Sequence, residues 1–149
     1  MRVAFEKKAE ADFLGALSDN PVHEDYSEPE GVRGKDAARK SMADFTKAFP
    51  DGKMTVDNAW GVGDYAIAEV TFEGTQKGPL GPLPATKKPV KVATVDIARI
   101  NKDGKISNVW SYGDQTDLLV QLGIVKPPAL PKPAAAKPAT PSAPETPKK

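Results

Sequence analysis

Three residues near the C-terminal end of the chain have types and spacing suited to proton transfer: Trp110, Tyr112 and Asp114. Residues 105–113 read as a strand, in which Ile106, Asn108, Trp110 and Tyr112 share one parity and point to one face. Asp114 is the next residue of that parity, and there the strand pattern stops. A short apolar helical run follows, Leu118, Leu119 and Leu122, with Gly123 as its stop. If that face lines a hollow, Asp114 is a carboxylate in apolar surroundings. Burial disfavours the charged form, so the group becomes an acid/base candidate. The same residue is also a favoured N-cap for the helix it precedes, with Asp117 in the first turn. The two roles coexist only if the carboxylate turns toward the hollow.

Other polar residues are candidates for the same wall. His23 is the only histidine, read either as a group facing a pocket or as a surface or cap residue. It cannot belong to a His-rich metal site, and there is no cysteine to help it, so no metal is expected. Asp96 interrupts the apolar run Val95-Asp96-Ile97, as a second cavity carboxylate or as a paired or edge residue. Gln76 and Asn108 are further wall candidates beside Trp110 and Tyr112. Tyr65 or Tyr112 could donate a hydrogen bond to an oxyanion. Gly78 and Gly81 do not make a phosphate loop, because the Gly-Lys-Ser/Thr ending is missing.

The elements that must position these residues follow from periodicity. Residues 4–17 read as a helix, with Phe5, Ala9, Phe13 and Leu17 every four positions. Ser18-Asp19-Asn20-Pro21 reads as a break, followed by a short strand at 22–26. A second helix shows Ala38, Met42, Phe45 and Phe49 on one face; Gly34 and Asp36 open it and Pro50-Asp51-Gly52 closes it. The period then changes to two. Strands are expected at 54–61, 65–75 and 90–100, with the chemistry-bearing strand last. Residues 76–89 form a Gly/Pro loop, expected to be an ordered rim. Asp103-Gly104 is a hairpin signal. Two helices followed by antiparallel strands is an α+β layout: a curved antiparallel sheet wrapped around N-terminal helices, a cone-shaped barrel enclosing an apolar pocket.

Composition bounds the rest. The chain has 149 residues and a formal net charge of +1, so bulk electrostatics give no case for nucleic acid. No run approaches the roughly 20 apolar residues of a membrane helix. Lack of a signal-peptide core and of cysteine tilts the expected location toward the cytoplasm. Residues 1–126 are read as one domain. From 127 to 149 the composition collapses to Pro, Ala, Lys, Ser and Thr, read as a disordered, partly polyproline-II tail.

The ordered series of marks resembles the SnoaL-like polyketide cyclases, or ester cyclases, of the nuclear transport factor 2-like superfamily. The marks include Val22-His23, Ala48-Phe49-Pro50-Asp51, Gly74-Thr75, Pro84-Ala85-Thr86, Asp103-Gly104-Lys105-Ile106, and Trp110 with Asp114 and Gln121-Leu122-Gly123. The resemblance implies a cone-shaped α+β barrel, dimeric through its sheet. It also implies cofactor-free ring closure by an intramolecular aldol reaction, with the acid/base at the position of Asp114. Two departures stand out. Many members read Gly-Thr-His where this chain has Gly74-Thr75-Gln76, and Glu-His-Trp where it has Asn108-Val109-Trp110. Gln76 donates hydrogen bonds but shuttles no proton, and Val109 does neither.

Three functions are therefore expected to compete. One is a cyclase or isomerase-like enzyme acting on a hydrophobic carbonyl compound with Asp114 as base. Another is a non-catalytic binder of a hydrophobic small molecule in the same pocket. The third is a dimerising interaction domain.

Overall fold

A computed structural model describes residues 2–4, 7–25 and 31–127. The tail expected at 127–149 lies, Pro127 apart, outside the described residues. The elements run β1 (Arg2–Ala4), α1 (Lys7–Ala16), β2 (Leu17–Asp25), β3 (Val32–Arg33), α2 (Lys35–Ala48), β4 (Lys53–Val62), β5 (Tyr65–Thr75), β6 (Pro89–Ile100), β7 (Ile106–Gly113) and α3 (Gln115–Gln121). The strands form one curved, unclosed sheet in the order β1-β4-β5-β6-β7-β2-β3. The architecture is thus the α+β layout expected, with an open sheet in place of a closed barrel.

One pairing departs from the expected antiparallel pattern. β2 runs parallel to β7, whereas the other neighbours are antiparallel. A hairpin forces antiparallel direction only on strands that it joins, and β2 and β7 are far apart in sequence. The first helix also differs. The helix ends at Ala16 and β2 begins at Leu17, so the Ser18-Asp19-Asn20-Pro21 stretch lies inside a strand. Its register against β7 shifts between Leu17 and Val22, an irregularity that accommodates a proline lacking a ladder donor. The Pro21 carbonyl accepts from Gly34 N at 2.8 Å, tying the irregularity to the start of α2. Gly34 has φ 86°, a conformation that favours glycine.

The sequence stripe of α2 builds the core. Phe45, Phe49 and Phe72 form a ring triad with centroids 4.9–5.1 Å apart, in tilted and edge-on pairs favoured by the ring quadrupole. Val90 and Leu122 are buried against it, and Leu118 packs there too. Phe72 therefore marks the helix side of the sheet. The loop at 76–89 is the ordered rim expected: Lys77 N and Gly78 N both donate to the Ala48 carbonyl, and Leu80 and Leu83 bridge each other. A Cβ on Gly78 would lie 2.5 Å from the Lys47 carbonyl oxygen, so only glycine lets this loop approach α2 so closely.

Candidate functional site

Which residues share the helix side follows from register. On β5 the parity of Phe72 includes Val70, Ala68 and Ala66, since successive side chains alternate. Their partners on β6 are Thr94, Asp96 and Ala98. Those in turn pair with Gly113, Ser111 and Val109 on β7. His23 on β2 lies opposite Val109. The helix side thus carries His23, Ser111, Asp96 and Thr94 together with Ala68, Val70, Ala98 and Val109. His23, Ser111 and Asp96 are half-buried and Val70 is buried.

The imidazole Nε2 of His23 lies 3.0 Å from Ser111 Oγ, a half-buried hydrogen bond joining β2 to β7. Of the residues expected at the site, the structure brings His23 and Asp96 to this face. Ser111 was missed. Its signal lay in the alternation of β7, where it has the opposite parity to Trp110 and Tyr112.

The expected wall of Trp110, Tyr112 and Asn108 is corrected by the same register. Those three pair with Ile97, Val95 and Arg99, the outward parity of β6. Strand alternation says that two faces exist, but only the neighbouring strands decide which one is covered, and a one-residue error exchanges them. On that outer face Trp110 Nε1 donates to Glu24 Oε2 at 2.8 Å, and its ring sits 6.4 Å from that of Tyr65. Trp60, Tyr65 and Tyr112 are exposed there. Asn108 Oδ1 accepts from Ser107 Oγ at 3.0 Å.

The apolar surroundings expected for Asp114 are also corrected. The residue is exposed, and its Oδ1 accepts from Asp117 N at 3.0 Å as the N-cap of α3. Four donors at a helix start lack intrahelical partners, and a carboxylate one residue before the first turn is well placed to take one. Gly123, with φ 72°, follows the C-cap of the same helix as expected.

Gln76 is fully buried, but inside the rim loop. Its Nε2 donates to the Pro84 carbonyl at 3.2 Å, and its Oε1 accepts from Thr86 N at 3.2 Å and Thr86 Oγ1 at 2.7 Å. The amide is a clasp across a Gly/Pro loop. Both of its ends are engaged, which explains why a buried polar side chain is tolerated.

A shallow groove of about 540 Å³ lies at the ends of β4, β5 and β6, lined by Asp51, Lys53, Glu73, Lys91 and Gln121 among others. Three of its charged residues are in ion pairs. Lys91 pairs with Glu73 at 2.7 Å, and Asp51 with Lys77 at 3.2 Å. Asp51 also accepts from Thr75 N at 2.8 Å, and that bond, with Lys77, holds its carboxyl down at about 2. None of the expected site residues lines the groove. Among the described residues no group of three His, Asp or Glu side chains is arranged for a metal ion. No described helix is long and apolar enough to cross a membrane.

Comparison with known proteins extends this geometry. The family model for SnoaL-like polyketide cyclases matches residues 1–122. TsrD from Streptomyces laurentii is similar in structure, with a TM-score of 0.72 at 28% identity over 82% of this chain and 88% of that one. A SnoaL-like polyketide cyclase candidate from a Jannaschia species has a TM-score of 0.72 at 20% identity, covering 83% of each chain. A ketosteroid isomerase-like fold from Catenulispora acidiphila, solved with trimethylamine, has a TM-score of 0.65 at 18% identity, over 79% of this chain and 84% of that one. No curated protein matches the chain in sequence.

Proposed function

Because the chain belongs to the SnoaL-like polyketide cyclase family, we propose that it carries out cofactor-free acid–base chemistry on a hydrophobic carbonyl compound held against the helix side of the sheet. The reaction is an aldol-type ring closure or a related isomerisation. The observation that carries this reading is the His23 imidazole, half-buried on the helix side of the sheet opposite Val109 and hydrogen-bonded to Ser111 at 3.0 Å. An imidazole can take and return a proton near neutral pH, which both halves of an aldol closure need. It removes a proton beside one carbonyl, the carbanion attacks a second carbonyl, and the resulting oxyanion is protonated. Ala68, Val70, Ala98 and Val109 on the same face favour an apolar substrate over a charged one. Val109 supplies no second imidazole here, so His23 carries the proton in this reading, and Asp114 caps its helix.

The test is turnover of an aromatic β-keto ester, with ring closure followed by absorbance, in wild type, His23→Gln and Asp114→Asn. General acid–base groups contribute about 10²–10⁴-fold, so His23→Gln should lower kcat by that range. Wild-type kcat in His23→Gln with loss in Asp114→Asn would move the acid–base role to Asp114. Saturable binding of the ester without conversion would make the domain a binding module. The exposed aromatic residues of the outer face, Trp60, Tyr65 and Tyr112, support a homodimer through that face.

A further inference from the structure

We infer that Ser111 is the positioning residue for the His23 imidazole, gripping Nε2 so that Nδ1 is the nitrogen that exchanges a proton with substrate. This rests on the reading of His23 as the acid–base group. The need for such a grip comes from the seam between β2 and β7. The strands run parallel there, and their register shifts between Leu17 and Val22, just before His23. Opposite His23 stands Val109, which cannot hold an imidazole. Ser111, two residues further along β7 on the same face, reaches Nε2 at 3.0 Å. One residue along β2, on the outer face, Glu24 accepts from Trp110 at 2.8 Å. The seam is therefore stitched by side chains on both faces, and the inner stitch is the one that holds the ring.

Either polarity of the Ser111–His23 bond fixes the ring plane and biases one tautomer. A base needs a bare Nδ1, so the polarity that serves the reaction is Nε2–H donating to Ser111 Oγ; the reverse polarity would put the proton on Nδ1 and leave it no lone pair. In that first polarity Nδ1 holds the lone pair that takes the proton from carbon. Removing the hydroxyl should therefore change both the ring's tautomer balance and the chemical step, while binding of an apolar substrate changes little.

The experiment uses the full chain labelled with ¹⁵N. With a single histidine, long-range ¹H–¹⁵N spectra report one imidazole. One ordinary hydrogen bond corresponds to about a fivefold ratio. Ser111→Ala should thus shift the tautomer ratio about fivefold from wild type, and Ser111→Thr, which keeps the hydroxyl, should restore it. Should Ser111→Ala fail to fold, Ser111→Cys keeps the volume with a weaker partner and should give an intermediate ratio. Trp110→Phe removes the outer stitch and should leave the ratio unchanged. An unchanged ratio in folded Ser111→Ala would overturn the inference, and so would an equal shift in Trp110→Phe. With the β-keto ester, kcat should fall at least tenfold in Ser111→Ala with KM within about twofold. The spectra need no substrate. A ring held by Ser111 in a chain without turnover would sink the proposed function alone, and turnover with a freely averaging ring would sink this inference alone.

Discussion

Replacing Gln76 by Leu tests whether its amide belongs to the rim loop or to the ligand. Leu matches the glutamine stem in bulk but removes the three hydrogen bonds that clasp the loop, to the Pro84 carbonyl, Thr86 N and Thr86 Oγ1. Each is worth about 1 kcal/mol net. Pro84 is exposed and Thr86 half-buried, so their freed groups can turn to water and add little further cost. The sum is about 3 kcal/mol. For a domain of this size about 1 kcal/mol corresponds to a Tm shift of roughly 4 °C, so Tm should fall by roughly 12 °C. The backbone anchors Lys77 N and Gly78 N to Ala48 remain, so the sheet should keep its far-ultraviolet signature. Differential scanning calorimetry of wild type and Gln76→Leu reads the shift, and a titration with the β-keto ester reads binding. A Tm within about 3 °C of wild type together with lost binding would refute the clasp and return Gln76 to the ligand wall.

Three more outcomes follow from the geometry. Asp114→Ala should lower stability by about 1 kcal/mol in urea denaturation through loss of the α3 cap, while Asp114→Asn should be close to neutral because Asn caps as well as Asp. For Asp51, the bond from Thr75 N and the nearby Lys77 lower the folded-state pKa from 3.8 to about 2. Its contribution to stability is therefore complete above about 4 and lost as pH falls through about 2; Asp51→Asn should flatten the acid limb of Tm against pH in that window, and an unchanged limb would refute it. For the outer face, light scattering should report a dimer in wild type and a monomer in Trp60→Glu, because the substitution puts a charge among Trp60, Tyr65 and Tyr112; a wild-type monomer would remove the proposed interface.

Much of the fold was legible because it is local. The α2 stripe of Met42, Phe45 and Phe49, the alternation through Val70 and Phe72, and the Asp103-Gly104 turn are set by side-chain period and dihedral preference, which neighbours in sequence carry. The extent of β2 was not legible. Ser18-Asp19-Asn20-Pro21 has the chemistry of a break, yet the pairing of its flanks Leu17 and Val22 with β7 and the Gly34–Pro21 bond keep it within the strand. Asp114 as a cap could be read from the residues alone, because a cap answers only to the next three amides. Gln76 in a clasp could not, because Pro84 and Thr86 reach it only once the loop has folded back.

The sequence by itself determined that β7 alternates, that Asp114 begins a helix, and that the chain carries a single imidazole. Only the tertiary structure decided that Ser111 and Val109 face the helices while Trp110 and Tyr112 face away. The reason is physical: an isolated strand has two equivalent sides. The side that becomes interior is chosen by the Phe45–Phe49–Phe72 cluster and passed across the sheet, strand by strand, through hydrogen-bond register.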